Sequence, residues 1–458
     1  MFIWMKMRRL FGTDGVRGVY NEEMDPFKAM RLSLAIASYL PRGARVLVGR
    51  DGRAGSSDIY YAAIAGLMAG GAKVYEAGIT PTPALQINVR DRGYDAGVMV
   101  TASHNPPEYV GIKFIESSGV EAPRDVEEKI EEIFHEERFR KVSWREVQYQ
   151  VERDDLVNDY YVKKVVELVD KERISSKRFR VVIDPANSAG AVTTHKILES
   201  LGVKTFVING DLKPEPSRPY EPTPETITDL REIVRILNAD MGVAHDGDAD
   251  RAMFVDRFGE AYWGDRDAIP LTIHISENRR SKLPKRVVTA VSSSSLVEEI
   301  LRPRGIEVVW TRVGSIVIAR ELMRVGGLCA FEENTGFIYP EHQYVRDGAA
   351  KTVLMLELMA YENKDLHDIM SVLPKRHVIK TKVPTNPEKT KKVVEELKNM
   401  YSKERIIDID GVRVDGRDYW FLVRPSGTEP ILRIMIEAYT KDIAENILKE
   451  IMSVVTKY

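Results

Sequence analysis

Arg45-Val46-Leu47-Val48-Gly49-Arg50-Asp51-Gly52-Arg53 reads as an apolar strand running into a glycine-bearing turn, and the form recurs at 180–190 (RVVIDPANSAG) and 286–295 (RVVTAVSSSS). A helix-like segment follows each, and then a second apolar strand: AKVYEAG, VKTFVING and IEVVWTRVG. Strand, helix and strand in succession predict largely parallel pairing through right-handed crossovers, with binding loops at strand ends. Three similar α/β units with mixed, largely parallel sheets are expected. After Leu373-Pro374 the pattern changes to a strand (HVIKTKV), a helix (EKTKKVVEELKNMY), three strands ending at ILRIMIEAY, and a final helix (KDIAENILKEIMSVVTKY). That order predicts a smaller C-terminal α+β domain.

At 458 residues the chain is too long for one core. We set the domains at 1–154, 155–257, 258–373 and 374–458, with breaks at the polar Arg153-Asp154-Asp155, at Arg257-Phe258-Gly259 and at Leu373-Pro374. A net charge of -2 leaves no basic surplus for nucleic acid or an anionic membrane. The single cysteine, Cys329, excludes an internal disulfide and fits a reducing compartment. No stretch has the apolar length of a membrane span, and MFIWMKMRRL lacks the core and cleavage site of a signal peptide. A cytoplasmic protein is expected.

Three segments carry chemistry. Asp246-Gly247-Asp248-Ala249-Asp250-Arg251 alternates carboxylates between the apolar runs MGVAH and AMFV. In extended backbone, residues two apart share a side, so Asp246, Asp248 and Asp250 converge on one cation, and hard oxygen ligands suit Mg²⁺ or Mn²⁺. An EF-hand is excluded, since Arg251 and Arg257 stand where that loop needs glycine and a bidentate glutamate. Thr101-Ala102-Ser103-His104-Asn105-Pro106-Pro107 presents Ser103 at a strand end in a proline-stiffened loop, a place suited to covalent chemistry. His104 has either a catalytic or a structural part there. Arg424-Pro425-Ser426-Gly427-Thr428-Glu429-Pro430 combines a guanidinium fork, hydroxyls and backbone amides, the makings of an anion cradle.

With Phe11-Gly12-Thr13-Asp14-Gly15-Val16-Arg17-Gly18, these segments stand in the order found in the α-D-phosphohexomutase family, and the chain resembles its phosphomannomutase/phosphoglucomutase members from Phe11 to Pro430. The family's Glu-x-Ser-Gly sugar motif is present as Glu333-Asn334-Thr335-Gly336, with threonine in place of serine. Phe337 and Ser315 stand where many mannose and glucose members carry histidines. Arg17, Lys113 and His104 are then the nearest candidates for proton handling or charge stabilisation.

The resemblance implies four domains around a central cleft and a phosphoryl group carried on Ser103. It implies Mg²⁺ held by Asp246, Asp248 and Asp250 together with the Ser103 phosphate, and a hexose phosphate isomerised between its 1 and 6 positions. A sugar 1,6-bisphosphate serves as intermediate and priming activator. Arg251, Glu333 and Thr335 are the implied contacts to substrate, and Arg424, Ser426, Gly427 and Thr428 the implied phosphate cradle. Mannose and glucose phosphates are the first expectation for the sugar, and glucosamine phosphate the second. A metal-dependent phosphatase and a non-catalytic sugar-phosphate binding protein are the readings of other classes.

Overall fold

The run RVLVGR alternates its side chains across a sheet. In the computed structural model, which describes residues 9–12, 14–279, 281–426 and 430–458, Val46 and Val48 enter one apolar cluster with Leu32, Ile36, Ile59 and Ala63. Leu47 enters another, with Leu85, Val89 and Met99. Burial on both faces is what a near-continuous apolar strand between helical layers requires.

That strand, β2 (Arg45–Arg50), lies in a six-stranded sheet with β1 (Val16–Val19), β3 (Lys73–Ile79), β4 (Ala96–Val100), β5 (Tyr109–Glu116) and β6 (Glu152–Arg153), in the order β1-β5-β4-β2-β3-β6. β4, β2, β3 and β6 run parallel, whereas β5 is antiparallel to both β4 and β1. The second sheet has the order β11-β10-β9-β7-β8, from β7 (Arg180–Asp184), β8 (Lys204–Val207), β9 (Met241–His245), β10 (Ala252–Asp256) and β11 (Ala261–Tyr262). β7 is parallel to β8 and β9, and β9 turns back antiparallel into β10. The serine and carboxylate segments do sit at strand ends, but on the antiparallel turns β4–β5 and β9–β10. Segments as short as 101–108 and 246–251 cannot form a parallel crossover, which takes a dozen or more residues.

By compactness the chain divides into two units, Met1–Gly264 with Thr335–Ile369, and Asp265–Asn334 with Met370–Tyr458. The first holds both sheets above and the short β15 (Phe337–Ile338). In the second, β12 (Arg286–Ala290) pairs in parallel with β13 (Glu307–Thr311) and β14 (Cys329–Phe331). The C-terminal sheet is wholly antiparallel in the order β16-β20-β19-β18-β17, from β16 (His377–Pro384), β17 (Arg405–Ile407), β18 (Val412–Asp415), β19 (Tyr419–Pro425) and β20 (Ile431–Ala438). Helices Pro387–Met400 and Lys441–Lys457 bury Val393, Leu397, Ile447 and Ile451 against it. Four strands follow the first of these helices, one more than the sequence predicts. The additional strand, β17, has only 3 residues and no run long enough to show a period. Among the described residues no helix is long and apolar enough to cross a membrane.

Within the second unit, Arg413 is fully buried between Trp310 and Trp420, 4.4 and 4.0 Å from their ring centroids, and donates to the carbonyls of Val291 (2.8 Å) and Ser293 (2.6 Å). Beside it, Glu437 accepts from Ser294 Oγ (2.7 Å) and Trp420 Nε1 (2.8 Å), and Asp265 accepts from the Ser294 amide (2.7 Å). Burial, and then the charge of Glu437, push the Asp265 carboxyl up to about 6. Its folded value lies above the ordinary one, so its contribution to stability is full below about pH 4 and is lost as the pH rises through about 6. Asp265→Asn keeps the acceptor for Ser294. By calorimetry it should raise stability at pH 7.5 by up to about 3 kcal/mol and lose that advantage toward pH 4, whereas an advantage independent of pH would contradict the argument.

Candidate active site

Ser103 lies in the β4–β5 turn, fully buried and with a left-handed backbone (φ 50°). Its Oγ donates to Asp246 Oδ2 at 2.8 Å, across 143 residues of sequence. Asp246, Asp248 and Asp250 are all buried, and each offers an oxygen within 4.8 Å of the others. Their convergence has a different local cause from the one expected. The segment is a turn, with Ala249 left-handed (φ 58°), rather than extended backbone with alternating sides. Asp248 Oδ1 and Asp250 Oδ1 are buried without a hydrogen-bond partner. Carboxylate oxygens in that condition are costly unless a cation meets them, and a donor set of oxygens alone fits a hard divalent ion.

The charge within the cluster is uneven. Burial, followed by the charges of Asp250 and Asp248, pushes the Asp246 carboxyl well up. Burial acts on Asp248 in the same sense but is outweighed by Lys113 and the Thr82 hydroxyl, which hold it below the usual carboxylate range. Thr82 Oγ1 donates to Asp248 Oδ2 at 2.6 Å. Lys113, buried on β5, puts Nζ 3.1 Å from Asp248 Oδ2, 3.1 Å from Asp14 Oδ2 and 3.7 Å from Asp250 Oδ2. Burial lowers its affinity for the proton, but Asp14, Asp248 and Asp250 more than offset that, and the net affinity is raised.

Arg346 Nη2 lies 2.5 Å from Asp250 Oδ2 and 3.2 Å from Asp14 Oδ2. Arg17 reaches Asp14 Oδ2 (2.8 Å), the Ala102 carbonyl (3.2 Å) and Asn105 Oδ1 (2.8 Å), which anchors the serine turn. His104 Nδ1 is 3.4 Å from Ser103 Oγ. Burial, then Arg251, Arg17 and Arg346, hold the His104 imidazole well below its ordinary pKa, so the ring is neutral. The sequence reading passed over Asp14, Thr82 and Arg346. Asp14 stands in the Phe11–Gly18 motif, where Arg17 drew the chemical reading. Arg346 directly precedes Asp347, the N-cap of helix Gly348–Glu362, and that pattern signals a helix start rather than a ligand.

Arg251 is buried beside the cluster, its Nε 3.9 Å from Asp246 Oδ2 and its Nη1 3.4 Å from Glu221 Oε1. Its backbone pairs with Gly336 in an isolated bridge, which brings Thr335 close. Thr335 is buried and left-handed (φ 75°), and its hydroxyl has no hydrogen-bond partner. Glu333 belongs to the second unit and accepts from Ser292 Oγ at 2.7 Å. Arg424 Nε pairs with Asp410 Oδ2 at 3.1 Å, and the Ser426 amide donates to the Ile431 carbonyl at 2.9 Å. Gly427 and Thr428 lie outside the described residues.

Lys113 is the countercharge on which the buried Asp248 and Asp250 and the partly buried Asp14 depend. Lys113→Met should therefore cost about 3 to 5 kcal/mol in denaturant unfolding at pH 8 without divalent metal. The cost should shrink at pH 5, where the stranded carboxylates take up protons, and an equal cost at both pH values would contradict this role.

Family models match the chain in four consecutive pieces. Those of phosphoglucomutase/phosphomannomutase α/β/α domains I, II and III match residues 8–141, 159–259 and 263–377, and that of the C-terminal domain matches 379–454. A phosphoglucosamine/phosphogalactosamine mutase of Sulfurisphaera tokodaii is 46% identical over 453 residues, 98% of this chain and 99% of that protein. A phosphoglucomutase/phosphomannomutase of Thermococcus kodakarensis is 37% identical over 451 residues, 97% of each. Among solved structures, a phosphoglucomutase/phosphomannomutase family protein from Burkholderia thailandensis shares the fold, with a TM-score of 0.86 at 23% identity over 98% of this chain and 97% of that one. With all four domains matched in order and relatives similar from end to end, the chain belongs to the phosphoglucomutase/phosphomannomutase family and is a phosphohexomutase, an isomerase that moves a phosphoryl group within a sugar phosphate.

Proposed function

We propose that the enzyme moves phosphoryl reversibly between the 1 and 6 positions of a hexose phosphate through a phosphoserine at Ser103 and a 1,6-bisphosphate that also primes it. The observation that carries this reading is the buried Ser103 Oγ, 2.8 Å from Asp246 and beside carboxylate oxygens that lack a donor. Mg²⁺ held by Asp246, Asp248, Asp250 and the Ser103 phosphate would supply Lewis-acid stabilisation worth several kcal/mol. As a sugar hydroxyl oxygen bonds to phosphorus and the bond to Ser103 Oγ breaks, the hydroxyl proton needs an acceptor. His104 offers one by its place 3.4 Å from Oγ. Lys113, whose affinity for the proton is raised, suits charge stabilisation, as does the Arg17 guanidinium that reaches the serine turn. Arg251, Glu333 and Thr335 are assigned to the sugar phosphate, and Arg424, Ser426, Gly427 and Thr428 to the phosphate that is not reacting. The domain divisions after residues 154, 257 and 373 and a cytoplasmic setting belong to the same proposal.

The sugar is the finer question. The relative at 46% identity is named for glucosamine and galactosamine phosphates, the one at 37% for glucose and mannose phosphates. The higher identity favours the amino sugar, which the sequence reading ranked second. In parallel assays of glucosamine, glucose and mannose 1-phosphates, the amino sugar should give the highest kcat/KM, and turnover confined to mannose and glucose would reverse that order.

Ser103→Ala should abolish mutase turnover while sugar-phosphate binding persists, because the covalent relay is lost and the binding groups remain. Turnover near the wild-type rate with bisphosphate supplied would remove Ser103 from the mechanism. Faster release of inorganic phosphate than of isomerised sugar in the wild type would instead mark a phosphatase.

Charge sets a further expectation for the metal. A phosphoryl on Ser103 adds roughly -1.5 to -2 beside three carboxylates, so Mg²⁺ should bind the phosphoenzyme more tightly than the dephosphoenzyme. Asp248→Asn should weaken that preference. Calorimetric Mg²⁺ titration of both forms, with phosphorylation checked by intact mass, measures the difference, and equal affinities would contradict a shared site.

A further inference from the structure

Ser103 is held in the left-handed region (φ 50°) although it carries a side chain, a conformation that L residues adopt rarely. Three buried residues fix it there. The Ser103 amide donates to Thr101 Oγ1 (2.8 Å), and Thr101 Oγ1 donates to Asp51 Oδ2 (2.7 Å). The Ser103 carbonyl accepts from Arg53 Nη2 (2.7 Å), and Arg53 Nε pairs with Asp51 Oδ2 (2.7 Å), with both side chains 0% exposed. Arg53 Nη1 donates to the Tyr109 carbonyl at 2.7 Å, so each guanidinium nitrogen already has an acceptor within the protein. The metal-type turn rests on the same groups. A Cβ added at Gly247 would lie 2.6 Å from the Ser103 carbonyl oxygen and 3.0 Å from Arg53 Nη2. Ser188 Oγ accepts from the Gly52 amide (3.0 Å) and donates to the Gly247 carbonyl (2.5 Å), fastening the Asp51–Arg53 turn to the carboxylate turn.

We propose that Asp51, Arg53 and Thr101 are positioning residues for phosphoryl transfer. They hold both sides of the Ser103 peptide so that Oγ faces Asp246 whether or not it carries phosphoryl. The inference rests on the proposed phosphoserine mechanism and extends it to residues other than those assigned to substrate and metal. Because Arg53 is buried and each of its guanidinium nitrogens is engaged within the protein, its loss should act on the rate of transfer rather than on substrate binding.

Thr101→Val removes the hydroxyl link at nearly constant volume, and Thr101→Ser keeps it. Phosphoenzyme prepared with glucose 1,6-bisphosphate and checked by intact mass is mixed with sugar 1-phosphate in single-turnover rapid quench. Thr101→Val should transfer phosphoryl roughly 10- to 100-fold more slowly, as expected when a reacting atom is displaced by about 1 Å, with KM changed no more than about threefold. Thr101→Ser should recover most of the wild-type rate, and Arg53→Lys, which keeps the charge without the planar fork, should be slow. Transfer by Thr101→Val at the wild-type rate, or an equal loss in the serine variant, would overturn the proposal. So would rate losses that merely follow melting temperature across the three variants. Failure of the wild type to accept phosphoryl from the bisphosphate would overturn the proposed phosphoserine mechanism and this inference with it, whereas a phosphorylated wild type matched by Thr101→Val would overturn the positioning role alone.

Discussion

The ammonium of Lys113 is the contact on which the site depends. Asp246, Asp248 and Asp250 place three carboxylates in a small buried volume with the partly buried Asp14 beside them, an arrangement that drives itself apart or takes up protons unless cations are built in. Lys113 meets three of them from the middle of β5, and Arg346 meets two from the turn before helix Gly348–Glu362. β5 reaches that place because it runs antiparallel between β4 and β1. β4 delivers Ser103, and the residues just before β1 deliver Asp14. The single antiparallel strand in an otherwise parallel sheet thus has a consequence for chemistry, since β4, β5 and β1 as neighbours bring together the nucleophile, the lysine that neutralises the carboxylates and Asp14.

The countercharge is incomplete. Asp248 Oδ1 and Asp250 Oδ1 have no hydrogen-bond donor, and the Asp246 carboxyl is pushed up by burial and then by the charges of Asp250 and Asp248. Fixed cations therefore assemble the cluster without saturating it, and the remaining demand suits a divalent ion whose affinity rises when Ser103 carries phosphoryl. A saturated cluster would have been a structural salt-bridge network with no part in transfer.

Much of this was legible in the sequence. The β2, β7 and β12 runs are apolar on both faces, so their strands and the succession of α/β units could be read directly. Ser103 and the three aspartates were chosen from their own chemistry, although the aspartates converge through a turn with left-handed Ala249 rather than through strand alternation. The missing parts share one feature, long separation along the chain. Arg346 and Asp14 are 332 residues apart, and Thr82 and Asp248 are 166 apart. No local pattern announces a pair that only the folded sheets bring together. The strand β17 escaped for the opposite reason, being too short to show a period at all.

The central claim is that the phosphoryl on Ser103 passes into the sugar and that a bisphosphate turns around before the second transfer. Enzyme labelled with ³²P at Ser103, mixed with unlabelled sugar 1-phosphate and quenched over a single turnover, measures this directly. Label should appear first in the 1,6-bisphosphate and then at the 6 position of the product, with the enzyme rephosphorylated by unlabelled phosphoryl from position 1. Label released as inorganic phosphate without ever entering the sugar would contradict it.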